Sequence, residues 1–223
     1  MLERFTRLKK EILERQFANL NDIQREVAFT VNGPLLILAG AGSGKTTTVT
    51  SRIAYMLKYG DSYNTSWLPE NLTEEALSDL EANKENPGFF ENQLITRNPI
   101  DPRSVLAITF TNKAAGEMRE RIERLVGPAA NAMWVLTFHS ACVRILRQDI
   151  DKLGMESSFA VYDAGDSTTL IKDCYAELSI DDKIVPVRTT QSYISSWKDK
   201  YISPAEAIKE VGMNPVAEIA ARV

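Results

Sequence analysis

Lys45 and Thr46 close the stretch AGAGSGKT, residues 39–46, and are the two side chains in the sequence best placed by type and spacing to do chemistry. The residues before them are small, which lets the backbone wrap closely around an anion with successive N–H groups turned inward. A helix that begins at Lys45 adds free N–H groups and the positive end of its dipole to the same point. A lysine there reaches the β- and γ-phosphates of a nucleotide, and a threonine hydroxyl next to it can ligate magnesium. The pattern therefore predicts a nucleoside triphosphate site at Ala39, Gly40, Ala41, Gly42, Ser43, Gly44, Lys45, Thr46 and Thr47, with Lys45 and Thr46 in the catalytic roles and Thr46 on the metal. A chance glycine-rich turn is the competing reading; a buried strand before the loop and a helix after it would exclude it. Such a loop does not say what the energy of the nucleotide is used for.

Three other stretches carry side chains that could complete a site: LNDIQ at 20–24, ITFTNKAAGEM at 108–118 and TFHS at 137–140. Each has an ordinary explanation. Gln24 could face solvent on a helix, Thr111 or Asn112 could cap one, and His139, the only histidine, could bond locally. Phe110 ends an apolar run and is either a cap on a core or a stacking surface; the residues alone leave both open.

These residues need a scaffold, and the hydrophobic pattern supplies one. Charged and apolar residues alternate at helical spacing over 2–18, and a second helix is expected over 23–30 after the cap-type residues at 19–22. Short apolar runs at 34–39, 105–110 and 134–138, with a further one at 159–162, suit buried strands of a parallel sheet. Helical patterns at 45–59, 112–125 and 140–153 alternate with them, which predicts an α/β, doubly wound architecture. From about 165 the pattern is helical only, over 166–178, 189–199, 203–211 and 215–223. The expected organisation is thus a first domain over 1–164 and a helical subdomain over 165–223. Residues 60–103 interrupt the first domain. They are rich in Asp, Glu, Asn, Ser and Pro, contain one helical patch at 73–84, and read as a solvated, partly flexible insertion.

Composition narrows the class. The chain has 223 residues, 44% hydrophobic and 25% charged, as expected of a globular protein. Its longest apolar runs are too short to span a bilayer, and its N-terminus lacks the pattern of a signal peptide. A cytoplasmic location, with Cys142 and Cys174 as reduced packed thiols, is the expectation. A net charge of −4 argues against binding nucleic acid through bulk positive charge but permits a local groove.

Taken together and in order, LNDIQ, AGAGSGKT, TFTNKAAGEM and TFHS resemble the Q, I, Ia and Ib motifs of superfamily 1 DNA helicases of the UvrD/PcrA/Rep type. The resemblance continues through RILRQDIDKLG and SYISSWKD and covers the chain apart from 60–103. It implies a RecA-like P-loop parallel sheet flanked by helices, with a helical subdomain at the C-terminal end. It implies ATP and Mg2+ as cofactors, and 3'-to-5' translocation on single-stranded DNA with unwinding of duplexes as the parent activity. Gln24 would bond the adenine edge. Phe110, Thr111 and Asn112, with Thr137, Phe138, His139 and Ser140, would meet DNA. Partners would be single-stranded DNA, single-strand/double-strand junctions, the remainder of the helicase chain and repair or replication proteins, with no membrane.

The sequence departs from that pattern in three ways. No strand ends in paired acids, since Asp181-Asp182 follows a helix and reads as loop; Thr47 stands where many relatives carry arginine; and 60–103 replaces a short link. The expectation is a fragment that binds nucleotide without efficient hydrolysis. Two alternatives stand beside it: a helicase–nuclease subunit of the AddA/RecB kind, and a nucleotide-gated binding module without unwinding activity.

Overall fold

The computed structural model describes residues Met1–Val223. They form two compact units, Met1–Ile150 and Asp151–Val223. The residues 151–164, grouped by sequence with the first domain, belong with the helical unit.

In the first unit, α1 (Leu2–Gln16), α2 (Asp22–Phe29) and α3 (Lys45–Tyr59) precede α4 (Glu74–Ala82) and α5 (Phe89–Leu94). A two-stranded sheet follows, β1 (Leu106–Thr109) and β2 (Trp134–Thr137), connected through α6 (Asn112–Val126), and α7 (Phe138–Asp149) closes the unit. The strands are parallel, with Leu106 opposite Trp134 and Thr109 opposite Thr137. This register brings the C-terminal ends of both strands level at one edge, where α/β sheets place their ligand-binding loops. Each strand runs into a helix whose N-cap is a threonine. The Thr111 side chain accepts from the Ala114 N–H, and that of Thr137 from the Ser140 N–H, satisfying donors a helix start leaves free.

Two cores hold the unit. One gathers Ile53, Val105, Ala107, Ile122, Met133 and Val135 between sheet and helices. The other is larger and rich in aromatic rings: Phe5, Leu8, Ile12 and Leu13 of α1 meet Phe29, Tyr55 and Tyr59 of α2 and α3. Leu77, Leu80 and Ile95 complete it, all fully buried. The segment 60–103, expected from its composition to be solvated and partly flexible, thus contributes buried side chains to this core. Leu77, Leu80 and Ile95, with Trp67 and Leu72, pack into the core that α1 lines, and Arg4 pairs with Glu74 and Glu81, Lys84 with Glu11 and Arg15 with Glu85. Composition averages over the segment, whereas burial depends on where its few leucines point.

Two expected strands do not form. Residues 34–39 pair with no strand; Leu36 is 82% and Leu38 87% exposed. A fully buried strand needs hydrogen-bonded neighbours, and the sheet of this chain consists of β1 and β2 only. Residues 159–162 are likewise irregular, with Val161 and Tyr162 exposed.

The second unit is helical: α8 (Ala164–Leu178), α9 (Val187–Asp199), α10 (Pro204–Glu210) and α11 (Pro215–Arg222). Its core centres on Ile171, Tyr175 and Val185, with the Tyr175 hydroxyl 2.6 Å from the Thr190 hydroxyl in the buried interior.

Candidate nucleotide and nucleic-acid site

The phosphate loop turns on two glycines. Gly42 and Gly44 have φ of +75° and +82°, a region L-residues enter at a cost, and Gly44 is the N-cap of α3. No side chain caps this helix, so the N–H groups of its first turn stay available and point along a 15-residue helix dipole. Lys45 and Thr46 are exposed there. The Lys45 ammonium donates to the carbonyls of Gly40 at 2.6 Å and Ala39 at 3.2 Å. The Ser43 hydroxyl donates to the Gly40 carbonyl at 2.8 Å. Ala39, Ala41, Gly42 and Ser43 are exposed, and Thr47 is half-buried.

Gln24 sits against this loop. Its Oε1 accepts from the Asn21 N–H at 3.1 Å while the Asn21 side chain accepts from the Gln24 N–H, a reciprocal cap on α2. Its Nε2 donates to the Ser43 carbonyl at 3.1 Å. A Cβ on Gly44 would lie 2.7 Å from that same Nε2. The structure thus brings Gln24 and the loop together, although 19 residues separate Gln24 from Ser43. Asn21 lies among the cap-type residues expected at 19–22; what the sequence did not show is that its capping partner is Gln24.

The second cluster occupies the C-terminal edge of the sheet. Phe110 is fully exposed, Phe138 is 61% exposed, and Thr111, Asn112, His139 and Ser140 are exposed with them. Phe138 and His139 stack edge to face, ring centroids 6.3 Å apart. Phe110 is therefore no cap on the core. Thr137 differs from its neighbours: it is buried, and its hydroxyl is engaged with the Ser140 hydroxyl at 2.9 Å. Two arginines unnoticed in the sequence support β2. Arg119 donates to the Val135 carbonyl at 2.7 Å, and the Arg144 guanidinium lies 4.1 Å from the centroid of the Trp134 ring.

Comparison with known proteins gives the family. The pattern of the UvrD/REP helicase N-terminal domain matches residues 20–85 and 92–222. The match runs into the segment that motif reading had set apart and omits only 86–91 within its span. The chain is 37% identical over 201 residues to the ATP-dependent DNA helicase PcrA of Bacillus subtilis (strain 168), covering 90% of this chain and 22% of that protein. It is 40% identical over 192 residues to the ATP-dependent DNA helicase PcrA of Staphylococcus aureus (strain Mu50 / ATCC 700699), covering 86% of this chain and 21% of that protein. The chain thus spans about a fifth of the length of these relatives. With the loop, the glutamine and the two strand ends each falling inside the matched residues, the chain belongs to the UvrD/REP helicase N-terminal domain family.

Proposed function

We propose that this chain is the ATP-binding part of a DNA helicase that moves 3'-to-5' along single-stranded DNA and unwinds duplexes, built on the first RecA-like domain of that protein. The observation that carries the reading is the phosphate loop at the start of α3, with Gly42 and Gly44 in the left-handed region and the Gln24 amide bonded to its Ser43 carbonyl. Backbone N–H groups of the loop and of the first turn of α3 bind phosphate oxygens. Lys45 transfers its hydrogen bonds from the Ala39 and Gly40 carbonyls to the β- and γ-phosphates. Thr46, exposed in the first turn, fits a place in the magnesium shell, and the ion supplies neutralisation of phosphate charge. Gln24, whose amide presents both a donor and an acceptor, reads the adenine edge by exchanging its present partners.

On the DNA side, Phe110 stacks a base without reading its identity, and Asn112, His139 and Ser140 contact the strand. Thr111 and Thr137 act mainly through their caps, which fix the starts of α6 and α7. Hydrolysis needs further groups positioned around the phosphates, and no strand here ends in paired acids, so we expect this chain to bind ATP with negligible turnover. We place it in the cytoplasm; no helix is long and apolar enough to cross a membrane.

The test is titration calorimetry with ATP and Mg2+. Lys45→Ala should weaken binding at least about tenfold, equivalent to about 1.4 kcal/mol. Equal affinity for both proteins would overturn the nucleotide assignment.

A further inference from the structure

We propose that Phe89 and Phe90 form a docking knob for a basic, amphipathic segment of another protein. The two rings are 70% and 76% exposed and pack edge to face, centroids 5.7 Å apart. Single exposed apolar residues are ordinary, but two adjacent phenylalanines left in water ask for an explanation. They lie within 86–91, the residues that the family pattern omits inside its span. Neither the nucleotide site nor the strand-end cluster includes them, so the inference stands independently of the proposed function.

The short helix that carries the rings is anchored to the first unit. Asn92, in the same short helix, donates to the carbonyls of Gly88 at 2.8 Å and Pro87 at 2.9 Å. Its Oδ1 accepts from Gln16 Nε2 of α1 at 2.9 Å and from the Tyr59 hydroxyl of α3 at 3.0 Å. Ile95, just beyond the helix, is fully buried. Aromatic anchors fixed before binding lose little conformational freedom when a partner covers them, which is what makes such residues dominate interfaces.

Charge selects the partner. Residues 60–103 hold nine carboxylates against three basic side chains, and the whole chain has a net charge of −4, so the remainder is net positive by two. Glu75, Asp79 and Glu91 enter no ion pair within the chain. Four of the nine pair with Arg4, Arg15 and Arg97, and the net negative charge left on the segment that carries the rings disfavours nucleic acid, anionic lipid and the same segment of a second copy. It attracts lysine and arginine, so a helix with apolar residues along one face and basic residues beside them fits both features.

The test pans a random 12-residue peptide library on the intact chain, with depletion on the Phe89→Ser/Phe90→Ser double variant. The exposed rings carry no core packing, so this variant should keep the thermal midpoint and the ATP affinity of the parent. Enriched peptides should combine Lys or Arg with Leu, Phe or Trp. A synthetic consensus should bind the parent at least about tenfold more tightly than the variant, with affinity falling as salt rises. No enrichment, enrichment of acidic sequences, or equal binding to the two proteins would overturn the proposal. So would loss of binding to a dT20 oligonucleotide, or loss of self-association in sedimentation, on making the double variant.

Discussion

At the scale of the residue, Gly44 and Lys9 show how several constraints can meet at a single position. Gly44 is constrained twice, by its φ of +82° and by Gln24 Nε2 at 2.7 Å from where a Cβ would stand. Gly44→Ala should therefore cost about 1–2 kcal/mol in backbone strain, push Gln24 off the loop and weaken ATP binding. Urea unfolding and ATP titration on the same variant check both effects. Lys9 is fully buried, its Nζ donating to the carbonyls of Thr65 at 2.6 Å and Ser62 at 2.7 Å. The rings of Phe5 and Trp67 lie 5.9 and 5.8 Å away. Burial pushes its pKa down to about 8, from 10.5 when unfolded. Between these values the unfolded chain holds a proton that the folded chain has released, so this group adds stability as pH rises through the window. The stability of the parent relative to Lys9→Met should rise from pH 7.5 to pH 9.5 in urea titrations. A flat or falling relative stability would contradict the assignment. Comparison with the variant matters because burial raises Tyr59 and Tyr63 to about 12; those groups lower stability once the pH passes the ordinary tyrosine range.

At the scale of the element, α4 is the informative case. Its two buried leucines, Leu77 and Leu80, stand three apart on one face, and its acidic side chains reach back to Arg4 on α1. Leu80→Ala should destabilise the first unit by about 2–5 kcal/mol. In hydrogen exchange, the amides at the centre of α4 should be protected well above those of 36–44, because opening α4 exposes the aromatic core. Exchange equally fast in both stretches would return the segment to the solvated loop its composition suggested. Helices were legible in the sequence because 3.6-residue periodicity and caps are local. The reading of 45–59 matches α3 to the residue, and that of 215–223 begins where α11 begins. Strands were legible only where this chain supplies their partner: 105–110 and 134–138 contain β1 and β2, while 34–39 has the same apolar character and no pairing. Lys9 was hidden because an amphipathic helix gives no sign that a lysine has been covered by a later segment.

For the whole molecule, the acidic pI of about 5.3 describes no single surface. The negative charge is concentrated in 60–103, and the residues that carry the nucleotide and strand-end clusters belong to a net positive remainder. Affinity for single-stranded DNA, where this chain or its parent protein shows it, should then depend on Phe110 more than on bulk charge. Phe110→Ala should lower dT20 affinity by about 1–3 kcal/mol and leave the thermal midpoint unchanged, since the ring is fully exposed. Loss of several kcal/mol of stability would show that the ring supports the fold instead. The order of the four motifs made the candidate site legible in the sequence. Its geometry was less so, because the approach of Gln24 to Ser43 and the levelling of two strand ends arise only from packing between distant segments.

The unpaired run Leu35-Leu36-Ile37-Leu38 has a consequence for handling the protein. It is uncharged, rich in aliphatic side chains, and offers unused backbone donors and acceptors to any strand that arrives. Two chains meeting there can zip together, with Pro34 interrupting the ladder at one end. The solubility limit of the isolated polypeptide should therefore be set by this one segment. A single charge, Leu36→Lys, should raise the concentration at which light scattering first appears, where the same charge placed at exposed Leu153 would not.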